Sequence, residues 1–115
     1  MAYMTLYHEE SSNIVNLMQN KDPFFDYLTA KIMMHIPPGS SQKRILDLGC
    51  GGGRNSVAAA KKGYTVIGLD YVEKSLVVAG KLADLNKVSG KIFFKKEDIT
   101  KLKPKQYGIF DYIIL

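Results

Sequence analysis

An α/β fold built on a parallel sheet is predicted by three observations. From residue 44 onward, short apolar runs alternate with segments of helical period. A glycine-rich turn, Gly49-Cys50-Gly51-Gly52-Gly53, joins the first strand of that alternation to its first helix. The second strand ends on a carboxylate, Asp70. Alternation of this length argues for right-handed βαβ units, since parallel neighbours need a crossover helix.

The elements follow in chain order. Residues 1–42 read as an N-terminal helical arm and 43–115 as the sheet-forming part. Ser11 or Ser12 can cap a short helix carrying Ile14, Leu17 and Met18 on one face. Asp22-Pro23 is a second start signal, a capping carboxylate before a proline at the first helical position. Phe25, Leu28 and Ile32 follow at helical spacing until Pro37-Pro38-Gly39 stops the helix. Arg44–Leu48 is the first strand and Asn55–Lys62 the helix behind the glycine turn, with Gly63 as its stop. Tyr64–Asp70 is the second strand. A helix over Glu73–Asn86 places Leu76, Ala79, Leu82, Ala83 and Leu85 toward one side. Lys91–Lys95 and Phe110–Leu115 are the third and fourth strands, the last without polar alternation after Asp111 and so of the buried type.

Composition narrows the classes. At 115 residues the chain is one small domain, and 46% hydrophobic with 23% charged residues is ordinary globular content. A single cysteine, Cys50, excludes an intrachain disulfide framework and a multi-cysteine zinc site. No stretch reaches the ~18 apolar residues of a membrane span, and the first ten residues lack signal-peptide organisation. A cytoplasmic, soluble protein is the expectation. The net charge of +5 is concentrated between Lys81 and Lys105, where eight lysines face Asp84, Glu97 and Asp98. That stretch reads as a solvated face; nucleic acid is a weaker alternative, without interleaved aromatics to support it.

Strand, glycine loop, helix, strand and terminal acid together describe a nucleotide site beyond the carboxyl ends of the strands. Gly49, Gly51 and Gly53 allow a tight turn against which a ligand can lie, and Asp70 can accept both hydroxyls of a ribose. The dinucleotide pattern G-x-G-x-x-G fails because its third glycine is replaced by Arg54, and the phosphate-cradling G-x-x-x-x-G-K-[ST] pattern is absent. Asp47-Leu48-Gly49-Cys50-Gly51-Gly52-Gly53 instead resembles the first motif of the class I S-adenosylmethionine-dependent methyltransferases. An acid on the first strand suits a ligand with an α-amino group and a sulfonium, and would do nothing for a diphosphate.

The resemblance covers about residues 43–115 and implies a Rossmann-like fold with S-adenosyl-L-methionine as cofactor. It implies that Asp47, Gly49, Cys50, Gly51 and Gly53 line the cofactor, that Asp70 binds its ribose and that Tyr71 packs on adenine. Glu97-Asp98-Ile99 looks like the family's third motif, with Asp98 accepting the adenine amino group and the Ile99 amide near the ring edge; a plain turn residue is the alternative for Asp98. Asp111 matches an acid that is usually structural. Gly53-Arg54-Asn55-Ser56 is similar to a run in small-molecule methyltransferases of the tellurite-resistance and thioether type, which favours a small-molecule substrate. Cys50 is expected to pack rather than react, His8 and His35 have no ligand or triad spacing, and no catalytic residue is assigned. Tyr3 and Tyr7 are candidates for an arm closing over the cofactor.

The family's sheet order implies 3-2-1-4 for these strands, with the reactive residues and substrate pocket after the fourth. The expectation is therefore the cofactor half of a methyltransferase, truncated after the fourth strand. Its rivals are a short chain pairing edge to edge through residues 110–115 as a homodimer, a half-enzyme completed by a second chain, and a non-catalytic binding module. A nucleotide-binding oxidoreductase is disfavoured by Arg54.

Overall fold

The computed structural model describes residues 23–115. The helix expected around Ile14–Met18, Tyr3, Tyr7, His8 and the capping role of Asp22 lie outside the described residues. Helix α1 (Pro23–Met33) is followed by β1 (Arg44–Leu48), α2 (Arg54–Lys61), β2 (Thr65–Asp70), α3 (Glu73–Leu85), β3 (Ile92–Lys96) and β4 (Tyr112–Ile114), with single 3-10 turns at Ser89–Lys91 and Ile99–Lys101.

The strands form one parallel sheet in the order β3-β2-β1-β4. In register, Ile45 of β1 faces Val66 of β2 and Tyr112 of β4, while Val66 faces Ile92 of β3. This is the Rossmann-like arrangement that the family resemblance implies. β1 and β2, paired on both sides, are the buried strands: Ile45, Val66 and Leu69 are fully buried. The main core joins Ile45, Val66 and Ile114 to Val57, Ala59 and Ala60 of α2, Tyr64, and Ala83 of α3. Met33 and Ile36, at and beyond the end of α1, enter the same core. A smaller cluster of Leu46, Ile67 and Leu69 is covered by Leu102, Tyr107 and Phe110 from the segment between β3 and β4.

Two expectations are corrected. Leu85 is 60% exposed, because α3 turns Ser75, Val78, Ala79 and Ala83 inward. The fourth strand starts at Tyr112 rather than Phe110. Phe110 packs on the second sheet face, and Asp111 ties back to Arg44. In β4 only Ile114 is buried; Ile113 is 57% exposed.

Candidate functional site

The site forms where β1 and β2 run out side by side. Past Leu48 the chain folds back over the end of β2, with the Gly49 and Cys50 amides both donating to the Leu69 carbonyl at 2.8 and 2.9 Å. The Gly53 amide closes the turn on the Cys50 carbonyl at 3.0 Å. Gly49, Gly51 and Gly53 all hold left-handed backbone, with φ of 70°, 55° and 84°, a conformation that costs an L-residue about 1–2 kcal/mol. At Gly53 there is a second reason. A Cβ there would lie 2.8 Å from Ala79 Cβ and 3.2 Å from the Phe94 ring, so only glycine lets the loop seat against α3 and β3.

Asp70 fastens this loop. Its Oδ2 accepts from the Gly51 amide and its Oδ1 from the Val72 amide, both at 2.8 Å. Each oxygen keeps a second lone pair. The carboxylate that the sequence assigns to the ligand is thus also the loop's anchor, a role that sequence reading missed. Asp47 lies deeper, 2% exposed, and its Oδ2 accepts from the Ser56 hydroxyl of α2 at 2.7 Å. Burial pushes its carboxyl up to about 6. The Ser56 hydroxyl opposes that rise, and the charge of Asp70 adds to it. This pairing of Ser56 with Asp47 was also missed; the signal was the place of Ser56 on the first turn of the helix behind the glycine loop.

Two neighbouring acids at a glycine loop favour a cationic ligand over a diphosphate. These acceptors therefore fit a sulfonium- and ammonium-bearing nucleoside. Cys50 is buried, its thiol directed to the Gly51 carbonyl at 3.8 Å, and burial raises its pKa further still. A thiol so held stays protonated and packs.

The remaining predicted residues follow the ends of β2 and β3. Tyr71 directly follows β2, is 66% exposed, and has the Lys96 ammonium 5.4 Å from its ring centre. The Glu97 amide donates to the Asp70 carbonyl at 3.0 Å, which binds the end of β3 to the end of β2. Asp98 starts the following 3-10 turn, its Oδ1 accepting from the Thr100 amide and hydroxyl at 3.0 and 2.6 Å; these bonds hold its carboxyl below the ordinary range. Ile99, 46% exposed, sits in that turn. The structure ties Asp70 to the glycine loop through the Gly51 amide and places Asp47 on the neighbouring strand, bonded to Ser56, with Tyr71 directly after Asp70 and with Asp98 and Ile99 after β3. Among the described residues, no group of three or more His, Cys, Asp or Glu side chains could hold a metal ion, and no helix is long and apolar enough to cross a membrane.

Comparison with known proteins agrees with this geometry. Residues 39–115 match the family described as "Methyltransferase domain". The chain is 42% identical over 77 residues to a ubiquinone biosynthesis O-methyltransferase of Bordetella avium, covering 65% of this chain and 31% of that protein. It spans about a third of the length of the curated relatives it matches. Phosphoethanolamine N-methyltransferase 1 of Haemonchus contortus superposes with a TM-score of 0.57 at 23% identity, over 65% of this chain and 15% of that one. An RNA methyltransferase of Salinibacter ruber gives 0.57 at 21% identity, over 65% and 49%. Both were solved with S-adenosylhomocysteine, and at these identities they establish the shared fold. On its matched residues, sheet order and loop, the chain belongs to the methyltransferase domain family, among the class I S-adenosylmethionine-dependent methyltransferases.

Proposed function

We propose that residues 43–115 bind S-adenosyl-L-methionine and serve as the cofactor half of a methyltransferase acting on a small-molecule nucleophile, with residues 1–42 as a helical arm. The observation that carries this reading is the unit of Asp70, the glycine loop and buried Asp47 at the paired ends of β1 and β2. Asp70, with its remaining lone pairs, accepts the ribose hydroxyls. Asp47 supplies negative charge for the ammonium and sulfonium, and such a ligand in turn favours its ionised form. Gly49, Gly51, Gly53 and Cys50 give the ligand a backbone surface, Tyr71 a ring for adenine, and Asp98 and Ile99 the polar and amide contacts at its edge. The cofactor supplies an electrophilic methyl group. This chain's residues bind and orient it, and catalysis of that kind draws on proximity. None of the assigned residues serves the methyl acceptor.

Calorimetry with S-adenosylhomocysteine and with NAD tests the reading. Binding of the thioether and not of NAD is expected; the reverse overturns it. Asp70→Ala should weaken thioether binding by about 1.5–3 kcal/mol, the range for charged hydrogen bonds. Unchanged affinity removes Asp70 from the site.

A second reading, self-association through the β4 edge, is favoured by exposed Ile113 beside the apolar groove between β4 and the end of α1, which Ile32, His35 and Ile36 line. Sedimentation as a monomer at ~100 μM, where weak edge pairing would already be populated, overturns it.

A further inference from the structure

Strand β3 carries two adjacent phenylalanines that face opposite ways. Phe94 packs against the main core. Phe93 lies on the second sheet face, beside Ile67 in register, and is 52% exposed. Lys95, two residues on, shares that face. Its side chain is half exposed and its ammonium lies 5.9 Å from the ring centre of Tyr107, itself partly buried. An exposed ring, a lysine and a second ring therefore share one face, an interleaving that linear order does not show. The segment between β3 and β4 adds charge to it. Leu102 and Tyr107 hold that segment on Leu46, Ile67 and Leu69, and Lys103 and Lys105 lie exposed between them. The Gln106 amide donates to the Lys103 carbonyl and the Gly108 amide to the Lys105 carbonyl, both at 3.1 Å, which fixes the turn carrying the two lysines. Lys91, also exposed, stands just ahead of β3. Each nearby acid faces a different lysine: Glu97 lies 3.9 Å from Lys95 and Asp98 4.0 Å from Lys101. Lys91, Lys103 and Lys105 have no acidic partner among the described residues.

We propose that this face docks a single-stranded nucleic acid, with Phe93 stacking on a base and Lys91, Lys95, Lys103 and Lys105 following the phosphates. The unpaired lysines call for a polyanion, whose condensed counterions they would release. The half-exposed ring calls for a flat partner, and every unpaired base offers one. An acidic peptide would satisfy the lysines and leave the ring in water, and a duplex keeps its bases stacked on each other. Protection of an open sheet edge accounts for lysines on β3, the outer strand of the sheet. It does not account for Lys103 and Lys105, which belong to the covering segment. The surface shares no residue with the cofactor site and does not depend on it.

Fluorescence anisotropy of a labelled twelve-nucleotide oligouridylate, titrated with the 115-residue chain, tests the assignment. A Kd of about 1 to 100 μM at about 50 mM salt is expected, with the logarithm of the association constant falling against that of salt with a slope of about −2 to −3. Phe93→Ala should lose about 5- to 100-fold in affinity, the range for removing one stacked base. Phe93→Leu keeps an apolar side chain without the flat ring and should lose nearly as much. Lys103→Gln combined with Lys105→Gln should make the salt slope shallower by about 1. The same charge removed at Lys74 and Lys81 of α3, the helix on the opposite sheet face, should leave the slope as it was. A twelve-residue glutamate peptide should bind at least about tenfold more weakly than the oligonucleotide. Equal affinity for that peptide, unmodified affinity in Phe93→Leu, or an equal change of slope from the α3 pair each overturns the assignment. So does an absence of binding up to about 200 μM protein, beyond the range of non-specific complexes.

Discussion

The two ends of the sheet use their polar groups in opposite ways. At the amino end, the Arg44 amide donates to Asp111 Oδ2 and the Asp111 amide to the Arg44 carbonyl, both at 2.8 Å. The Arg44 guanidinium donates to the carbonyls of Ile109 and Tyr107 at 3.0 and 2.8 Å and stacks 4.4 Å from the Phe110 ring centre. Lys62 Nζ donates to the Met33 and Ile36 carbonyls, and the Tyr64 hydroxyl to the Pro37 carbonyl. Each of these bonds ties a connecting segment to the sheet or to α2. At the carboxyl end, three left-handed glycines and a buried acid with a raised pKa lie within a few residues; left-handed glycines also occur at the amino end, at Gly63 and Gly108. The amino end spends its polar groups on holding the fold. The carboxyl end buries an acid whose only side-chain partner is the Ser56 hydroxyl, and under the proposed function that cost is offset by a cationic ligand.

The sharpest way to break this contrast is at the loop glycines. Gly53→Ala combines positive φ with a 2.8 Å clash on Ala79 and should cost about 3 kcal/mol, read from the urea midpoint. Gly49→Ala has the same kind of φ but no neighbour within 4 Å of the added carbon, so about 1 kcal/mol is expected. Equal losses would mean that backbone conformation, not the seating of the loop against α3, makes glycine necessary.

A smaller effect is expected from Asp47. Its folded-state pKa, about 6, lies above the unfolded value near 3.8, so the folded chain retains the proton through that window while the unfolded chain has lost it. Stability therefore falls as pH rises from about 4 to about 6, by about 3 kcal/mol at most, and this contribution is flat above. Asp47→Asn should remove that slope while weakening binding of a cationic ligand. If both proteins follow the same pH profile, Asp47 is not the strained group proposed here. The smallest change belongs to the amino end. Tyr64→Phe leaves the buried ring in place, loses the 2.5 Å bond to Pro37 and should cost about 1 kcal/mol without altering ligand affinity. A change in affinity instead would show that the two ends are coupled.

Local chemistry explains what was legible. Helix α1 starts at Pro23 because proline suits the first helical position, and the loop follows β1 because glycines at 49, 51 and 53 tolerate left-handed backbone. β1 and β2 have the continuous apolar character of strands covered on both faces, and they are the central pair. The misjudged positions lie where local pattern was silent about neighbours. Leu85 satisfies helical spacing as well as Ala83, yet only Ala83 meets the core. Phe110 extends the apolar run of the fourth strand but packs on the second sheet face, because Asp111 is held at Arg44.

The sequence by itself determined the order of elements, the loop and the acid at the end of β2, since each depends on residues within a few positions of one another. Only the tertiary structure decided what those acids touch. Asp70 reaches the Gly51 amide across 19 positions, and Asp47 meets Ser56 only because α2 folds back over β1. Arg54 finds Asp26 across 28 positions once α1 packs beside α2. Burial, pairing and the raised pKa of Asp47 are properties of distances between elements, and no spacing along the chain encodes them.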